Sequence, residues 1–267
     1  MLRKIFLFCS SFFIFALNSC GQDKKYKDYT EFSRHIFEGK ELKTPYRLLV
    51  PKNFDTLNFQ KEKQKYPLVI FLHGSGERGE TNLVPLTHFA PYVLEEEIRT
   101  KYPCFVMIAQ CPKDKKWIET DWKLASHTQP KEISSVLDNV LKISELIEKK
   151  YPIDTQKIYI TGLSMGGFGV WDLIARVPEK FAAAVPVCGG GDEKTAKKMK
   201  NLPIWVFHGA LDKAVKPERS RNMVKAIEKI NGNIKYTEYP DVQHDSWKPA
   251  YSDKKMWEWL FKQKKGN

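Results

Sequence analysis

The sequence predicts an α/β fold, in which a mostly parallel central sheet of about eight strands is covered by helices on both faces. First, short runs rich in β-branched and aromatic residues alternate with amphipathic runs of helical spacing. Second, residues 66–72 form a continuous apolar run, as expected for a central strand that is buried on both faces. Third, a length of 267 residues suits a single domain of this architecture.

Eight segments have the composition expected of strands: 32–37, 46–50, 66–72, 104–109, 158–161, 181–187, 203–207 and 234–239. Four segments have the spacing expected of helices: 131–151, 170–177, 218–230 and 256–261. Strands that alternate with helices favour parallel pairing, because each helix returns the chain to the starting edge of the sheet. The active site of such a sheet lies at the carboxyl ends of its strands.

The most informative stretch is Gly162-Leu163-Ser164-Met165-Gly166, which separates a predicted strand from a predicted helix. The G-x-S-x-G pattern in this position is typical of a nucleophile elbow, a sharp turn that exposes the serine hydroxyl above the sheet. The flanking glycines are expected where a Cβ would collide with the neighbouring strand or helix. A glycine-rich turn that only packs tightly is the alternative, so Ser164 needs partners to act as a nucleophile.

Two later strand ends carry suitable partners for Ser164. Asp212 follows the strand at 203–207, and His244 follows the strand at 234–239. A serine hydroxyl needs an imidazole to accept its proton, and the imidazole needs a carboxylate to orient it. Asp192 is the reserve for the carboxylate, while Asp241 lies too close in sequence to His244 to orient it easily. The sequence therefore predicts a Ser164–His244–Asp212 triad.

The backbone N–H of Met165, at the start of a helix, is the predicted first donor of an oxyanion hole. The second donor is expected from the loop after residues 66–72, with Ser75 as the first choice and Gly76 as the second. Glu77 and Arg78 follow in the same loop. They are expected either to pair and hold the oxyanion loop, where they could also contact substrate, or to be solvated.

The remaining histidines are not expected to be catalytic. His73 and His208 both precede a glycine at a strand end, and both are expected to fix loops. His35, His88 and His127 belong to no motif and are expected at the surface.

Several motifs together resemble the dienelactone-hydrolase and prolyl-oligopeptidase-like branch of the α/β-hydrolases. They are LHGSGERGE, TGLSMGGFGVWDL, FAAAVPVCGGGD, WVFHGALDKAV, SRNMVKAIEKINGN and YTEYPDVQHDSW, in that order. The resemblance extends from about Tyr46 to the C-terminus and is strongest to bacterial secreted esterases, a group described as predicted peptidases or phospholipases. It implies an α/β-hydrolase fold, Ser164, Asp212 and His244 as catalytic residues, and no cofactor or metal.

The short connection between Cys188 and Pro203 leaves no room for an inserted lid domain, so an open site is expected. An open site suits a small acyl group on a bulky polymer better than a long-chain lipid. Trp247, Trp122 and Trp117 are candidates for stacking against sugar or aromatic rings, with ordinary packing as the alternative for each.

The N-terminus resembles the signal peptide of a bacterial lipoprotein. Arg3 and Lys4 precede an apolar run at 5–17, and Leu17-Asn18-Ser19-Cys20 resembles a lipobox. This predicts a signal peptide at 1–19, a lipidated tether at 20–30 that begins at Cys20, and a catalytic domain at 31–267. The protein would then be anchored to a bacterial membrane, facing the periplasm or the exterior. An ordinary secretory signal and an uncleaved anchor are the alternatives.

Composition excludes some classes of function. The net charge is +12, but the excess lysines are scattered and form no stripe with interleaved aromatics, so nucleic-acid binding is not expected. No cysteine spacing suggests a metal site. Cys104 and Cys111 lie at opposite ends of one apolar run, and if that run is extended they are too far apart to form a disulfide. The predicted function is a serine esterase acting on acyl or feruloyl groups of carbohydrate. The alternatives are a serine peptidase acting on short peptides, a polyester or lipid esterase, and a non-catalytic surface-binding protein.

Overall fold

The computed structural model describes residues 26–59 and 63–266. Its strands form one eight-stranded sheet in the order β1-β2-β4-β3-β5-β6-β7-β8. The strands are β1 (Phe32–Glu38), β2 (Lys43–Leu49), β3 (Tyr66–Leu72), β4 (Phe105–Ala109), β5 (Ile153–Leu163), β6 (Ala183–Val187), β7 (Ile204–Gly209) and β8 (Ile234–Tyr239). Strands β1 and β2 pair antiparallel, β2 pairs antiparallel with β4, and the remaining strands are parallel. The predicted α/β class and the mostly parallel sheet are confirmed.

The helices are α1 (Ala90–Val93), α2 (Glu96–Lys101), α3 (Ser135–Lys150), α4 (Met165–Arg176), α5 (Glu218–Glu228), α6 (Trp247–Ser252) and α7 (Lys254–Lys262). Apolar residues of α3, α4 and α5 pack on one face of the sheet. Those of α1, α2, α6 and α7 pack on the other face. Each face therefore has its own hydrophobic core, which is the arrangement expected of a doubly covered parallel sheet.

The burial of each strand follows from its sequence. All residues of β4 and β6 are buried, and β3 is buried apart from Pro67, because helices cover both sides of these apolar runs. The edge strands β1 and β8 alternate or are half-buried, since one side of each faces solvent. The four predicted helices are present, and α3 begins where the hydroxyl of Ser134 accepts a hydrogen bond from the N–H of Leu137 at 3.1 Å.

The short helices α1, α2 and α6 are not among the predicted helices. Each has six residues or fewer, and a segment of this length shows too little periodicity to be recognised from sequence. The connection between β6 and β7 contains a 3₁₀ helix, Glu193–Met199, and no inserted domain, as predicted. The carboxyl ends of β5, β7 and β8 thus lie at the same end of the sheet. No lid domain inserted between β6 and β7 covers this end.

The predicted signal peptide, Cys20 and most of the predicted tether lie outside the described residues. Within the described part of the tether, Asp28 forms ion pairs with Arg34 and Arg47, and Tyr29 packs against the core that includes α7. Two residues of the predicted tether, Asp28 and Tyr29, thus contact the predicted catalytic domain. Across residues 26–59 and 63–266, no helix has the length and hydropathy needed to cross a membrane.

The three cysteines of the folded domain, Cys104, Cys111 and Cys188, are buried free thiols. This agrees with the predicted absence of a Cys104–Cys111 disulfide.

Candidate active site

Ser164 lies in a sharp turn between β5 and α4. Its backbone φ is 53° and its ψ is −119°, a combination that a side-chain-bearing residue adopts only under strain. The turn requires very close backbone contacts on either side. A Cβ added to Gly166 would lie 1.9 Å from the carbonyl oxygen of Leu72, and one added to Gly162 would lie 2.7 Å from the same atom. The predicted reason for these glycines is therefore confirmed.

The structure brings Ser164, His244 and Asp212 together from three different connections. The hydroxyl of Ser164 lies 2.9 Å from Nε2 of His244, and Nδ1 of His244 lies 2.7 Å from Oδ2 of Asp212. Since a carboxylate only accepts hydrogen bonds, Nδ1–H donates to Asp212 and Nε2 is left to accept the proton of Ser164. This is the geometry in which an imidazole can act as a general base on a serine hydroxyl.

Asp212 is held as an ionised group. Its Oδ1 accepts hydrogen bonds from the N–H groups of Ala214 and Val215 at 2.8 and 2.9 Å. Burial raises the pKa of Asp212, but the hydrogen bonds from His208, His244 and the N–H of Val215 outweigh it and hold this pKa well below its usual range. The carboxylate therefore remains charged near neutral pH, where it can orient His244 and stabilise its protonated form.

His208 is fully buried beside Asp212 and fixes the loop that carries it. Its Nε2 lies 2.9 Å from the carbonyl oxygen of Val215 and 3.2 Å from Oδ2 of Asp212. Its Nδ1 is paired with the hydroxyl of Ser220 at 2.7 Å. These contacts tie the exit of β7 to α5, which agrees with the loop-fixing position expected for His208.

The two competing carboxylates lie elsewhere. Asp192 accepts hydrogen bonds from the N–H groups of Gln129 and Lys194 at 2.9 and 3.0 Å, so it joins the loop before α3 to the exit of β6. Asp241 is exposed in the connection after β8. Asp212 is the carboxylate bonded to His244 in the structure.

The two predicted oxyanion donors, Met165 and Ser75, both lie at helix starts near Ser164. Met165 opens α4 and Ser75 opens the 3₁₀ helix Ser75–Glu77, so neither N–H has a partner within its own helix. Both helices start directly beside Ser164: a Cβ added to Gly74 would lie 3.7 Å from Cβ of Ser164. Gly76, the second choice, is one residue further from the strand end and is exposed.

His73 and Trp117 brace the loop that carries Ser75. Nδ1–H of His73 donates to the carbonyl of Gly74 at 2.6 Å, and Nε2 accepts from the N–H of Cys111 at 2.9 Å. Burial lowers the pKa of His73 to about 4, so the ring is neutral and this pattern of one donor and one acceptor is consistent. The indole N–H of Trp117 donates to the carbonyl of His73 at 2.8 Å. Trp117 is fully buried and therefore packs, as its alternative assignment anticipated.

Glu77 and Arg78 do not pair with each other. Arg78 donates from Nε to the carbonyl of Ser75 at 2.9 Å and from Nη1 to the carbonyl of Lys115 at 3.4 Å. Glu77 turns away and places Oε1 3.4 Å from Nε2 of His88. The predicted Glu77–Arg78 pair does not form, because Glu77 ends the 3₁₀ helix while Arg78 follows it in extended backbone and meets different partners, although Arg78 does contact the oxyanion loop.

His88, which the sequence places at the surface without a role, lies against the site. Its ring centroid is 5.2 Å from that of Trp247, which in turn meets the ring of His244 edge-on at 5.5 Å. No motif surrounds His88 in the sequence, and its contacts come from segments 11 and 159 residues away. The one sequence signal that could have drawn attention to His88 is its position after β3, on the side of the sheet where the strands have their carboxyl ends.

An open cavity of about 500 Å³ adjoins His244, and Trp247 is one of its walls. Its remaining lining residues are Asp241, Val242, Gln243, His244 and Asp245. Trp122 instead packs in a small cluster with Ile118, Phe168 and Val215, and Lys116 lies over its ring at 5.3 Å. The structure therefore brings Trp247 to the cavity beside His244 and places Trp122 in local packing.

In the described part of the chain, one group of side chains has ligand atoms close enough together to bind a metal ion: Cys188, Asp212 and His244. Asp212 and His244 already bond to each other. Burial, together with the nearby Asp212 charge, raises the pKa of the Cys188 thiol. A thiol that stays protonated is a poor ligand, because metal ions bind the thiolate. The donor chemistry of this group therefore fits a proton-transfer site better than a metal centre.

The chain is similar to several known proteins. Residues 58–256 match the family model described as Phospholipase/Carboxylesterase. A thermostable esterase of known structure is 39% identical with a TM-score of 0.79, over 88% of this chain and 64% of that one. A bifunctional acetylxylan esterase/xylanase from Neocallimastix patriciarum is 29% identical over 86 residues, 32% of this chain and 13% of that protein.

A probable carboxylesterase from Oryza sativa subsp. japonica is 24% identical over 196 residues, which cover 67% of this chain and 81% of that protein. The chain thus spans less than two thirds of the length of the acetylxylan esterase/xylanase and of the thermostable esterase. The family match covers most of the chain and includes the segments that carry Ser164, Asp212 and His244. The chain therefore belongs to the phospholipase/carboxylesterase family of the α/β-hydrolase superfamily.

Proposed function

We propose that the protein is a serine esterase that hydrolyses carboxylic esters through an acyl-enzyme. The observation that carries this proposal is the continuous hydrogen-bonded arrangement from Ser164 through His244 to Asp212 at a strained elbow. Family membership and the resemblance to esterases support the same reaction. No cofactor or metal is part of the proposal, because the residues named supply the nucleophile, the base and the oxyanion donors.

The first half of the reaction forms the acyl-enzyme. Oγ of Ser164 attacks the ester carbonyl carbon while its proton moves to Nε2 of His244. The negative charge that develops on the carbonyl oxygen is stabilised by the N–H groups of Met165 and Ser75. When the tetrahedral intermediate collapses, the bond to the alkoxy oxygen breaks and His244 gives its proton to the departing alcohol.

The second half releases the acid. A water molecule attacks the acyl carbon as His244 takes one of its protons, and the same two N–H groups stabilise the second oxyanion. Collapse of this intermediate breaks the bond to Oγ, which regains its proton from His244. Asp212 stays ionised throughout and keeps Nδ1–H directed towards itself, so that Nε2 always faces Ser164.

The substrate class that we propose is an acyl or feruloyl group carried by carbohydrate. The cavity beside His244 is open and is lined largely by polar side chains, which suits a bulky hydrophilic alcohol. The match to an acetylxylan esterase/xylanase, although it covers a third of this chain, supports the same class. A long-chain acyl group would need a deep apolar channel instead.

A substrate panel tests this proposal. The panel contains short- and long-chain nitrophenyl esters, methyl ferulate, acetylated xylan, a polyester and a peptide amide. We expect hydrolysis of the short nitrophenyl esters and of acetylated xylan or methyl ferulate, with the long-chain ester slower. Cleavage of the peptide amide without cleavage of any ester would show that the protein is a serine peptidase. Preference for the polyester or for the long-chain ester would show that it is a polyester or lipid esterase. A correctly folded protein that hydrolyses no member of the panel would refute the esterase assignment.

A further inference from the structure

A second imidazole–carboxylate pair, formed by His88 and Glu77, lies beside the proposed catalytic residues. Nε2 of His88 is 3.4 Å from Oε1 of Glu77, whose side chain is 11% exposed. Burial raises the pKa of Glu77, but the His88 imidazole beside it and a hydrogen bond from the N–H of Gly74 act in the opposite direction, and the net pKa lies below its ordinary value. Glu77 is therefore a buried carboxylate that is ionised near neutral pH and fixes the orientation of the His88 ring.

One end of this pair reaches the oxyanion loop. A Cβ added to Gly74 would lie 3.0 Å from Oε2 of Glu77 and 3.7 Å from Cβ of Ser164. Glu77 is also the last residue of the 3₁₀ helix that begins at Ser75, and its own carbonyl accepts a hydrogen bond from the side-chain amide of Gln110 at 3.0 Å. The carboxylate is thus held on a braced segment immediately beside the serine.

The other end of the pair packs on a residue that lines the open cavity. The ring of His88 packs on Trp247 at 5.2 Å, and Trp247 lines the cavity of about 500 Å³ next to His244. The side chain of His88 is 33% exposed, so part of its ring is available to a bound molecule. Trp247 therefore lies between two imidazoles, one of the proposed triad and one fixed by Glu77.

The chemistry of these groups identifies the molecule that they would bind. Nε2 is the ring nitrogen of His88 that lies near Glu77, and Nδ1 has no partner among the described residues. Nδ1 accepts a hydrogen bond when the ring is neutral and donates one when it is charged, and a hydroxyl group can pair with it in both states. The polar cavity wall next to Trp247 and the indole of Trp247 suit a molecule with hydroxyl groups and an apolar C–H face.

We propose that His88, held by Glu77 and packed on Trp247, forms a subsite that recognises the alcohol half of the ester, and that this alcohol is polyhydroxylated, as a sugar is. This inference rests on the proposed esterase function, because the subsite adjoins the leaving group only if Ser164 attacks an ester. His88 and Trp247 contact the alcohol, and Glu77 is a positioning residue that acts through His88. The subsite selects among esters that share an acyl group by the alcohol that they carry.

The test compares two acetyl esters that differ only in the alcohol, nitrophenyl acetate and an acetylated xylo-oligosaccharide. For His88→Gln we expect kcat/KM on the sugar ester to fall at least about 10-fold, mainly through KM, because the lost contact is made in the ground state as well. The value for nitrophenyl acetate should fall by less than about threefold. Glu77→Gln should reproduce the selective loss, and His35→Gln, a matched change on β1 far from the cavity, should lower neither value.

An equal fall of both esters in His88→Gln would show that His88 only braces the loop, and no change in either ester would show that it does not contact the alcohol. Each of these results would overturn the subsite. A parallel measurement is independent of turnover: unacetylated xylotriose is titrated into Ser164→Ala and into Ser164→Ala/His88→Gln, and tryptophan fluorescence is recorded. We expect saturable binding that weakens at least about 10-fold in the double variant.

The two measurements separate the subsite from the proposed function. If the protein hydrolyses nitrophenyl acetate but Ser164→Ala does not bind xylotriose, the subsite proposal is wrong and the esterase proposal stands. If xylotriose binding depends on His88 but the protein hydrolyses no ester, the esterase proposal is wrong and the sugar-binding site stands.

Discussion

Replacing Ser164 with alanine is expected to lower kcat for nitrophenyl acetate by at least about 10⁴-fold, since removal of the nucleophile leaves only the oxyanion donors and substrate binding. The hydroxyl of Ser164 makes the bond to the acyl group, and no other hydroxyl is bonded to His244 in the described structure. Alanine fits the elbow without a new contact, although its positive φ remains as strained as that of serine. The variant should therefore fold and bind substrate while losing turnover.

The control for this prediction is Ser126→Ala, which removes a hydroxyl from an exposed loop position. It should retain activity within about twofold of the original protein. Ser164→Ala should also keep the thermal unfolding temperature of the original protein to within a few degrees. Substantial ester hydrolysis by a folded Ser164→Ala variant would mean that another group carries the reaction.

Replacing Asp212 with asparagine is expected to lower kcat by about 10³- to 10⁴-fold, as the equivalent change does in serine hydrolases with this arrangement. The new side-chain amide could present its NH₂ group to Nδ1 of His244 and so stabilise the tautomer in which Nε2 carries the proton. In that tautomer Nε2 cannot accept the proton of Ser164. The charge that stabilises the imidazolium would be lost as well. Asp138→Asn, on the solvent side of α3, is the matched control and should leave kcat within about twofold.

The same carboxylate contributes to the pH dependence of folding. Because its pKa in the folded protein is depressed below its ordinary value of 3.8, Asp212 stabilises the fold at pH values above about 4. This contribution is lost progressively as the pH falls towards and through the depressed pKa. Urea-unfolding curves recorded from pH 6 down to pH 2 give the free energy of unfolding of the original protein and of Asp212→Asn. We expect this free energy to fall less steeply with decreasing pH in Asp212→Asn. If the free energy of unfolding fell equally with pH in both proteins, the pKa of Asp212 would not be depressed in the folded state.

Much of the fold could be predicted because its signals are local. Strands β3 and β4 are unbroken apolar runs, and the elbow needs glycines within two residues of Ser164 on either side. The choice of Asp212 over Asp192 also came from order along the chain, since Asp192 follows the strand after the nucleophile strand and Asp212 follows a later one. Position along the chain was sufficient for these features.

Contacts between distant segments could not be predicted in the same way. His88 follows β3 in a segment without periodicity, and its partner Trp247 is 159 residues further along the chain. The sequence offered Arg78 as the natural partner of Glu77, because adjacent opposite charges suggest a pair. In the structure, Glu77 at the end of the 3₁₀ helix lies next to His88, and Arg78 just after the helix donates to backbone carbonyls. Side-chain direction within a single tight turn decided this outcome, and the sequence does not specify it.

The central claim, that Ser164 is the nucleophile of an acyl-enzyme, is tested most directly by covalent labelling. The protein is treated with a fluorophosphonate, which reacts with serines activated by a general base, and the modified peptide is located by mass spectrometry. We predict one adduct per molecule, on Ser164, with loss of esterase activity in proportion to labelling. Strongly reduced labelling in Asp212→Asn would agree with the role of that carboxylate. An active protein that takes up no label, or takes it up on a different residue, would contradict the account.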